Sequence, residues 1–240
     1  MAITMVVALT GCNDWLDVPV EGKSTSKELF EKGEGYRSVL HGLYINMAED
    51  VLYGKNLQCG LVDFFSNQYN IDARPEDLSN PALIAAGKRD YLNKDLRPQI
   101  DQMWMAAYKC IGAANDLIQK VKDEDAGKFA KGEMEKNMIL GEAKAIRAYL
   151  HLDMLRLFAP ATKDDDGGAY IPYVRDFPNI LATHIKTSEA LNAVITDLEE
   201  ARELVKPYDI STYGSGASIS GNARFYNQFE YGTSIYTNRE

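Results

Sequence analysis

The chain has 240 residues and a formal net charge of −9, with 45% hydrophobic and 25% charged residues, an ordinary globular composition. That acidic balance argues against a nucleic-acid partner and against adhesion to anionic lipid, because phosphate binding needs concentrated Lys and Arg. Three cysteines, Cys12, Cys59 and Cys110, are too few for a disulfide framework and form no Cys/His cluster of metal-ligand spacing. No apolar run reaches the roughly 18 residues of a membrane-spanning helix.

At the amino terminus a short apolar run, Ile3 to Leu9, leads into Leu9-Thr10-Gly11-Cys12. Leucine and two small residues before a cysteine resemble a bacterial lipobox, whose cysteine thiol receives a diacylglycerol and becomes the mature N-terminus. Residues 1–11 then read as a lipoprotein signal segment, Cys12 as the lipid attachment site, and 12–24 as a tether ending beyond Pro19. A secretory signal opens on positive charge, whereas residues 1–11 hold no Lys or Arg. Two alternatives stay open: a start upstream of Met1, or a buried cysteine beside an ordinary N-terminal strand.

Thr25-Ser26-Lys27-Glu28 fits a capping box, so a helix is expected next, with Phe30, Tyr36, Val39, Leu40, Leu43, Tyr44 and Met47 inward and its first half weakened by Gly33 and Gly35. Residues 51–98, punctuated by Pro75, Pro81 and Pro98, read as loops with short helical turns. From Gln99 the pattern is helical: Trp104, Tyr108, Ile111, Asn115, Ile118 and Val121 recur at three/four spacing. After a charged connection, Met134 to Phe158 is the strongest helix, stopped by Pro160. Its second half is apolar on most sides, and Arg147, Asp153 and Arg156 are expected to pair or to reach an edge. The Asp-rich loop at 163–168 precedes an extended stretch from Ile171 to Leu181. Thr187 or Ser188 then caps a helix with Leu191, Val194, Ile195, Leu198, Ala201, Leu204 and Val205 inward, ended by Pro207. Residues 208–240 are Gly/Ser/Asn-rich and dotted with aromatics, and read as the loop-rich start of a further part.

Three helical stretches, in order, resemble the SusD/RagB family. They are Trp104 to Tyr108 with Ala114-Asn115-Asp116, Gly141 to Phe158 with its Gly-Glu-Ala-Lys-Ala-Ile-Arg-Ala-Tyr core, and Thr187 to Ala201. Tyr170-Ile171-Pro172-Tyr173-Val174 resembles the extended piece between the last two. Ala159-Pro160 departs from the glycine–proline that usually closes the second. With Asp14-Trp15-Leu16-Asp17 behind Cys12, the match runs from residue 12 to about 205.

The resemblance implies a mainly α fold: a tetratricopeptide-like helix-turn-helix scaffold with long loops. Residues 25–207 would be its N-terminal helical domain and 208–240 the start of a missing C-terminal part, so the domain is incomplete. The helices starting near 101, 134 and 187 follow the roughly 34-residue period of such repeats only loosely. It also implies an outer-membrane, surface-exposed lipoprotein, lipid-anchored through Cys12. Such a protein binds oligosaccharide, starch-like glycan among the options, and delivers it to a SusC-like TonB-dependent transporter, without catalysis and without a cofactor. A helical-repeat surface lipoprotein that binds peptide or protein is the alternative.

Glycan binding needs flat aromatic faces against sugar C–H surfaces and polar side chains reaching hydroxyls. Tyr53, Asp63, Gln68, Tyr69 and Asn70 are the candidates in this part of the chain. Phe64 and Phe65 read as core under a loop, and Trp104 and Tyr108 as packing. Asp164-Asp165-Asp166-Gly167 lacks the alternating spacing of a calcium loop, since Thr162 stands where an acid is needed, and reads as a solvated turn. Glu142, Asp153, Glu199 and Glu200 read as helix-surface acids, not as the converging pair of a glycosidase. His41, His151 and His184 show no ligand spacing and no nucleophile partner.

Overall fold

Two helix starts carry proline in their first turn, where a missing N–H costs nothing. In the computed structural model, which describes residues 26–71, 79–179 and 181–208, helix α4 (Pro81–Gly87) begins on Pro81, with the Asn80 side chain accepting from the Ala82 N–H at 3.0 Å. Helix α5 (Arg97–Lys122) takes Pro98 into its first turn, so Pro98 opens a helix instead of closing a loop. Helix α6 (Gly132–Phe158) stops two residues before Pro160, and α7 (Thr187–Val205) two before Pro207. The mainly helical expectation holds, and the described residues 51–71 and 79–96 do form irregular chain around two short helices, α3 (Leu61–Phe65) and α4.

The long helices form a layered stack whose directions follow from their side-chain pairs. Trp104 meets Phe158 and Asn115 meets Arg147, so α5 and α6 run antiparallel. Arg147 meets Asp197 and Lys144 meets Glu200, so α6 and α7 are antiparallel too. Helix α2 (Gly33–Met47) runs alongside α6 in the same direction, with Arg37 to Glu135 and Tyr44 to Glu142 at 2.6 Å. Leu40, Leu43, Ala107, Ile111, Ala114, Leu117, Ile139, Ala143 and Leu150 fill the core between them, essentially without solvent exposure. A smaller second cluster of Leu61, Phe64, Ala82, Ala85, Ala86 and Leu96 joins α3 to α4 and the start of α5.

Three expectations change. The helix anticipated after Thr25 is two pieces, a single turn α1 (Ser26–Leu29) and then α2, with Phe30 to Lys32 as the break. The reason is steric. A Cβ at Gly35 would fall 1.4 Å from the Leu29 carbonyl oxygen, and one at Gly33 would fall 2.8 Å from that of Lys128, so these glycines let backbone pass backbone. Thr25 itself lies outside the described residues, as do the signal segment, Cys12, the tether and the 209–240 tail.

The extended stretch is also more than a single run: β1 (Ala169–Pro172) pairs antiparallel with β2 (His184–Lys186), with Ile171 opposite Ile185. Helix α7 then starts one residue earlier than expected. Lys186 is its cap, the Lys186 N–H donating to the Glu189 carboxylate at 3.1 Å, while Thr187 is buried in the first turn.

The third change concerns the inward stripe of α7. Ile195 and Leu198 are 45% and 41% exposed, and the buried stripe is Thr187, Ala190, Val194, Asp197 and Ala201. Pairing of Asp197 with Arg147 sets the rotation of the helix, and a stripe of small residues lets it lie close on α6. A Cβ at Gly141 of α6 would stand 3.1 Å from the Ala201 carbonyl oxygen.

Candidate functional site

Local chemistry in the α4–α5 connection pushes two apolar side chains outward. The Asn93 side chain accepts from the Asp95 N–H at 3.0 Å and donates to Asp90 at 3.2 Å, closing a tight turn. Leu96 anchors the far end of that turn in the second cluster. Tyr91 and Leu92, at its crest, are 48% and 82% exposed.

These two residues overhang a cleft of about 520 Å³ between the second cluster and the main stack, a usual size for a small-molecule site. One wall is Phe65 with Tyr91, set edge-to-face at 5.7 Å. The other is Arg156, Leu157 and Phe158 at the end of α6, and the floor is Ile100 and Met103 of α5. Phe158 is held by Trp104 edge-to-face at 4.7 Å, and Trp104 leans on Tyr108 at 4.6 Å. The Tyr108 hydroxyl donates to the Pro172 carbonyl at 3.0 Å, so Trp104 and Tyr108 pack behind the cleft, as read.

Polar groups sit on the rim in charge-matched pairs. Arg97 Nε donates to Asp101 at 2.9 Å, both side chains about half exposed. Arg156 pairs with Asp153, its own side chain 63% exposed and that of Asp153 only 3%. Asp153 also accepts from the Tyr53 hydroxyl at 2.6 Å. Burial and then the Asp153 carboxylate push the Tyr53 phenol well above its ordinary value, which keeps it a donor. The expectation for Arg147, Asp153 and Arg156 therefore holds: each is ion-paired.

The five residues anticipated from the sequence divide between two places. Asp63, Gln68, Tyr69 and Asn70 lie together on α3 and the turn after it, with Gln68, Tyr69 and Asn70 exposed. Tyr69 is 46% exposed and stacks on Phe64 at 4.6 Å. Tyr53 is apart from them, half-buried and stacked at 5.2 Å on the exposed Tyr149, and reaches the cleft only through Asp153 and Arg156. Phe64 is core, as read, but its neighbour Phe65 faces the cleft. Tyr91, Leu92, Arg97, Asp101 and Phe158 carried no signal in the sequence, because each is unremarkable locally and gains meaning from the elements brought beside it.

A larger, shallower groove of about 640 Å³ runs over α6 and α7 beside Lys122, Lys144, Glu199, Glu200 and Glu203. It is lined by charge and holds no aromatic ring, so the smaller cleft is the better candidate. Three of the four acids singled out for possible catalysis are engaged apart: Glu142 with Tyr44, Asp153 with Tyr53 and Arg156, and Glu200 with Lys144. Glu142 and Asp153 stand about 16 Å apart along α6, beyond the span of a glycosidase pair. In the Asp-rich loop, Asp165 and Asp166 accept from the N–H groups of Gly167 and Gly168 at 3.0 and 2.8 Å. Among the described residues no three His, Cys, Asp or Glu are grouped to hold a metal, and no helix is long and apolar enough to cross a membrane.

No protein-family model and no curated protein matches the chain. Solved structures do. A SusD superfamily protein from Bacteroides thetaiotaomicron superposes with a TM-score of 0.55 at 20% identity, over 72% of this chain and 37% of that one. A SusD homolog from the same organism gives 0.50 at 18% identity, over 75% and 32%. A SusD-like carbohydrate binding protein from Bacteroides vulgatus gives 0.50 at 20% identity, over 72% and 36%. The chain has the helical fold of these SusD-type structures and spans about a third of their length.

Proposed function

We propose that this chain is part of a non-catalytic, glycan-binding surface lipoprotein that takes up oligosaccharide at the Phe65–Tyr91–Phe158 cleft. The observation that carries the reading is the cleft's composition: aromatic walls for the apolar faces of a sugar, ringed by arginine–carboxylate pairs that both donate and accept. The SusD-type fold supports it, since one similar structure is that of a carbohydrate binding protein. Asp63, Gln68, Tyr69 and Asn70 extend the surface on the far side of Phe64, and Tyr53 braces Arg156 through Asp153. Delivery to a TonB-dependent transporter belongs to the same proposal.

Isothermal titration of the chain with a panel of oligosaccharides tests this. At least one is expected to bind, and Tyr91→Ala, at an exposed position, is expected to weaken it about tenfold, or about 1.4 kcal/mol, with an unchanged melting curve. No heat with any oligosaccharide would overturn the glycan reading. Sugar release during the titration would overturn the non-catalytic one.

Outer-membrane anchoring through Cys12 is proposed on the lipobox-like Leu9-Thr10-Gly11-Cys12, with one acyl chain too weak an anchor by itself. Cells expressing the chain with its leader and fed an alkyne-bearing palmitate should label it, and Cys12→Ala should abolish the label. Persistent labelling of the variant would refute Cys12 as the site.

A further inference from the structure

We infer that the cleft selects uncharged glycans and discriminates against those carrying carboxylate or sulfate, an inference that rests on the glycan reading above. Two guanidiniums, Arg97 and Arg156, line the cleft, and each already has a carboxylate of its own, Asp101 and Asp153. The two pairs leave no formal surplus of positive charge for an anionic ligand to neutralise.

Geometry gives the two carboxylates different tasks. Asp153 is almost wholly covered and accepts from both Tyr53 and Arg156. It works as a fixed counter-charge beneath Arg156, reducing that guanidinium's attraction for a ligand anion without competing for ligand hydroxyls. Arg156 lines the cleft and bonds through a single Nη, so its Nε and other Nη donors have no partner among the described residues. A planar fork of spare donors whose charge is already balanced suits the lone pairs of adjacent hydroxyl or ring oxygens.

Asp101 is the opposite case. Its carboxylate is 54% exposed beside the cleft, with Arg97 on one oxygen. The second oxygen is open to accept a ligand hydroxyl, a strong charge-assisted bond that is available only to a donor. A ligand carboxylate or sulfate ester has no proton to give and would meet Asp101 as a like charge in a partly dehydrated cleft, where repulsion is less screened than in bulk water. The net charge of −9 on the chain adds a weaker, salt-screened repulsion. The aromatic walls are indifferent to this choice; the rim makes it.

The test is a binding panel of neutral oligosaccharides beside uronic-acid-bearing and sulfated ones, by isothermal titration. The tightest neutral ligand is then compared with the same oligosaccharide after oxidation of one hydroxymethyl group to a carboxylate. Neutral ligands are expected to bind and the oxidised form to bind at least tenfold more weakly. Asp101→Asn should narrow that ratio and Arg156→Gln should widen it, and a ratio is insensitive to any general loss of affinity. Equal or tighter binding of the acidic forms, or a ratio unmoved by Asp101→Asn, would overturn the selectivity while leaving the glycan reading standing. Absence of binding by every glycan would overturn the reading itself, and the selectivity with it.

Discussion

Replacing Arg147 with Met is expected to cost about 3–5 kcal/mol of stability, the range for leaving a buried charge without its partner. Arg147 and Asp197 have side chains only 4% and 1% exposed. Two parallel hydrogen bonds of 2.7 Å join them, and a third runs from Arg147 Nη1 to Asn115 at 3.0 Å. Tyr173 donates its hydroxyl to Asp197 at 2.5 Å, and Asn115 donates to the Val174 carbonyl at 3.0 Å. One guanidinium thus ties α5, α6, α7 and the segment after β1 together. Burial by itself would raise the Asp197 carboxyl, but the hydrogen bonds from Arg147 and Tyr173 outweigh it and hold the group below its usual value. With Met at 147 that buried carboxylate keeps only the Tyr173 hydroxyl and the half-exposed Arg175, whose guanidinium is 3.4 Å away. Urea unfolding followed by far-ultraviolet circular dichroism measures the loss. The Arg147→Met, Asp197→Leu double variant should recover much of it, because no buried charge remains. A single-variant loss under about 1 kcal/mol would mean that water or another cation replaces the arginine.

Acid should destabilise the fold in a window set by His151. The ring is fully buried, with Nε2 accepting from the Val174 N–H at 3.0 Å and Nδ1 against the Arg147 carbonyl at 2.8 Å. Since the Val174 N–H can only donate, Nε2 must be bare and Nδ1 must carry the proton. A second proton has nowhere to go: it would point at a donor, in a setting that also holds Arg147, Arg175 and Asp197. Burial pushes the imidazole down from 6.5 to about 4. A base whose folded pKa is depressed is protonated more readily in the unfolded chain. Stability therefore falls as pH drops from about 6.5 to about 4, by up to about 3 kcal/mol in all, and is level above that window. Glu124, held down to about 2 chiefly by its Lys128 and Tyr36 hydrogen bonds, and Asp197 add their losses below the ordinary carboxylate range. Melting temperatures at half-unit pH steps should slope between 6.5 and 4.5, and His151→Gln should flatten that slope. A slope equally steep in the variant would assign the effect elsewhere.

Both predictions concern positions whose importance was half visible beforehand. Arg147 and Asp153 stood out as charges inside an apolar run, which forces a partner or an edge, but the run does not name the partner. Asp197 carried no signal of its own in the sequence; its pairing with Arg147 turned α7 and left Ile195 and Leu198 outside. His151 showed no ligand spacing, and its role as a backbone clamp depends on where Val174 happens to lie.

The candidate site was less legible than the scaffold. Asp63, Gln68, Tyr69 and Asn70 are candidates by residue type alone, since aromatics among amides and acids in a loop suit a sugar. Phe65, Tyr91, Arg97, Asp101, Arg156 and Phe158 come from three distant stretches, and no local pattern marks them as neighbours. The sequence by itself determined the long helices and where α6 and α7 stop, because three/four periodicity and proline act over a few residues. It also determined, through residue order, the resemblance to SusD-type proteins and the Cys12 motif. Only the tertiary structure decided which charges pair, which face of α7 is inward, and that a cleft opens between the small cluster and the main stack. Those outcomes depend on contacts between residues far apart in the chain, where close packing and the cost of burying an unpaired charge select one arrangement.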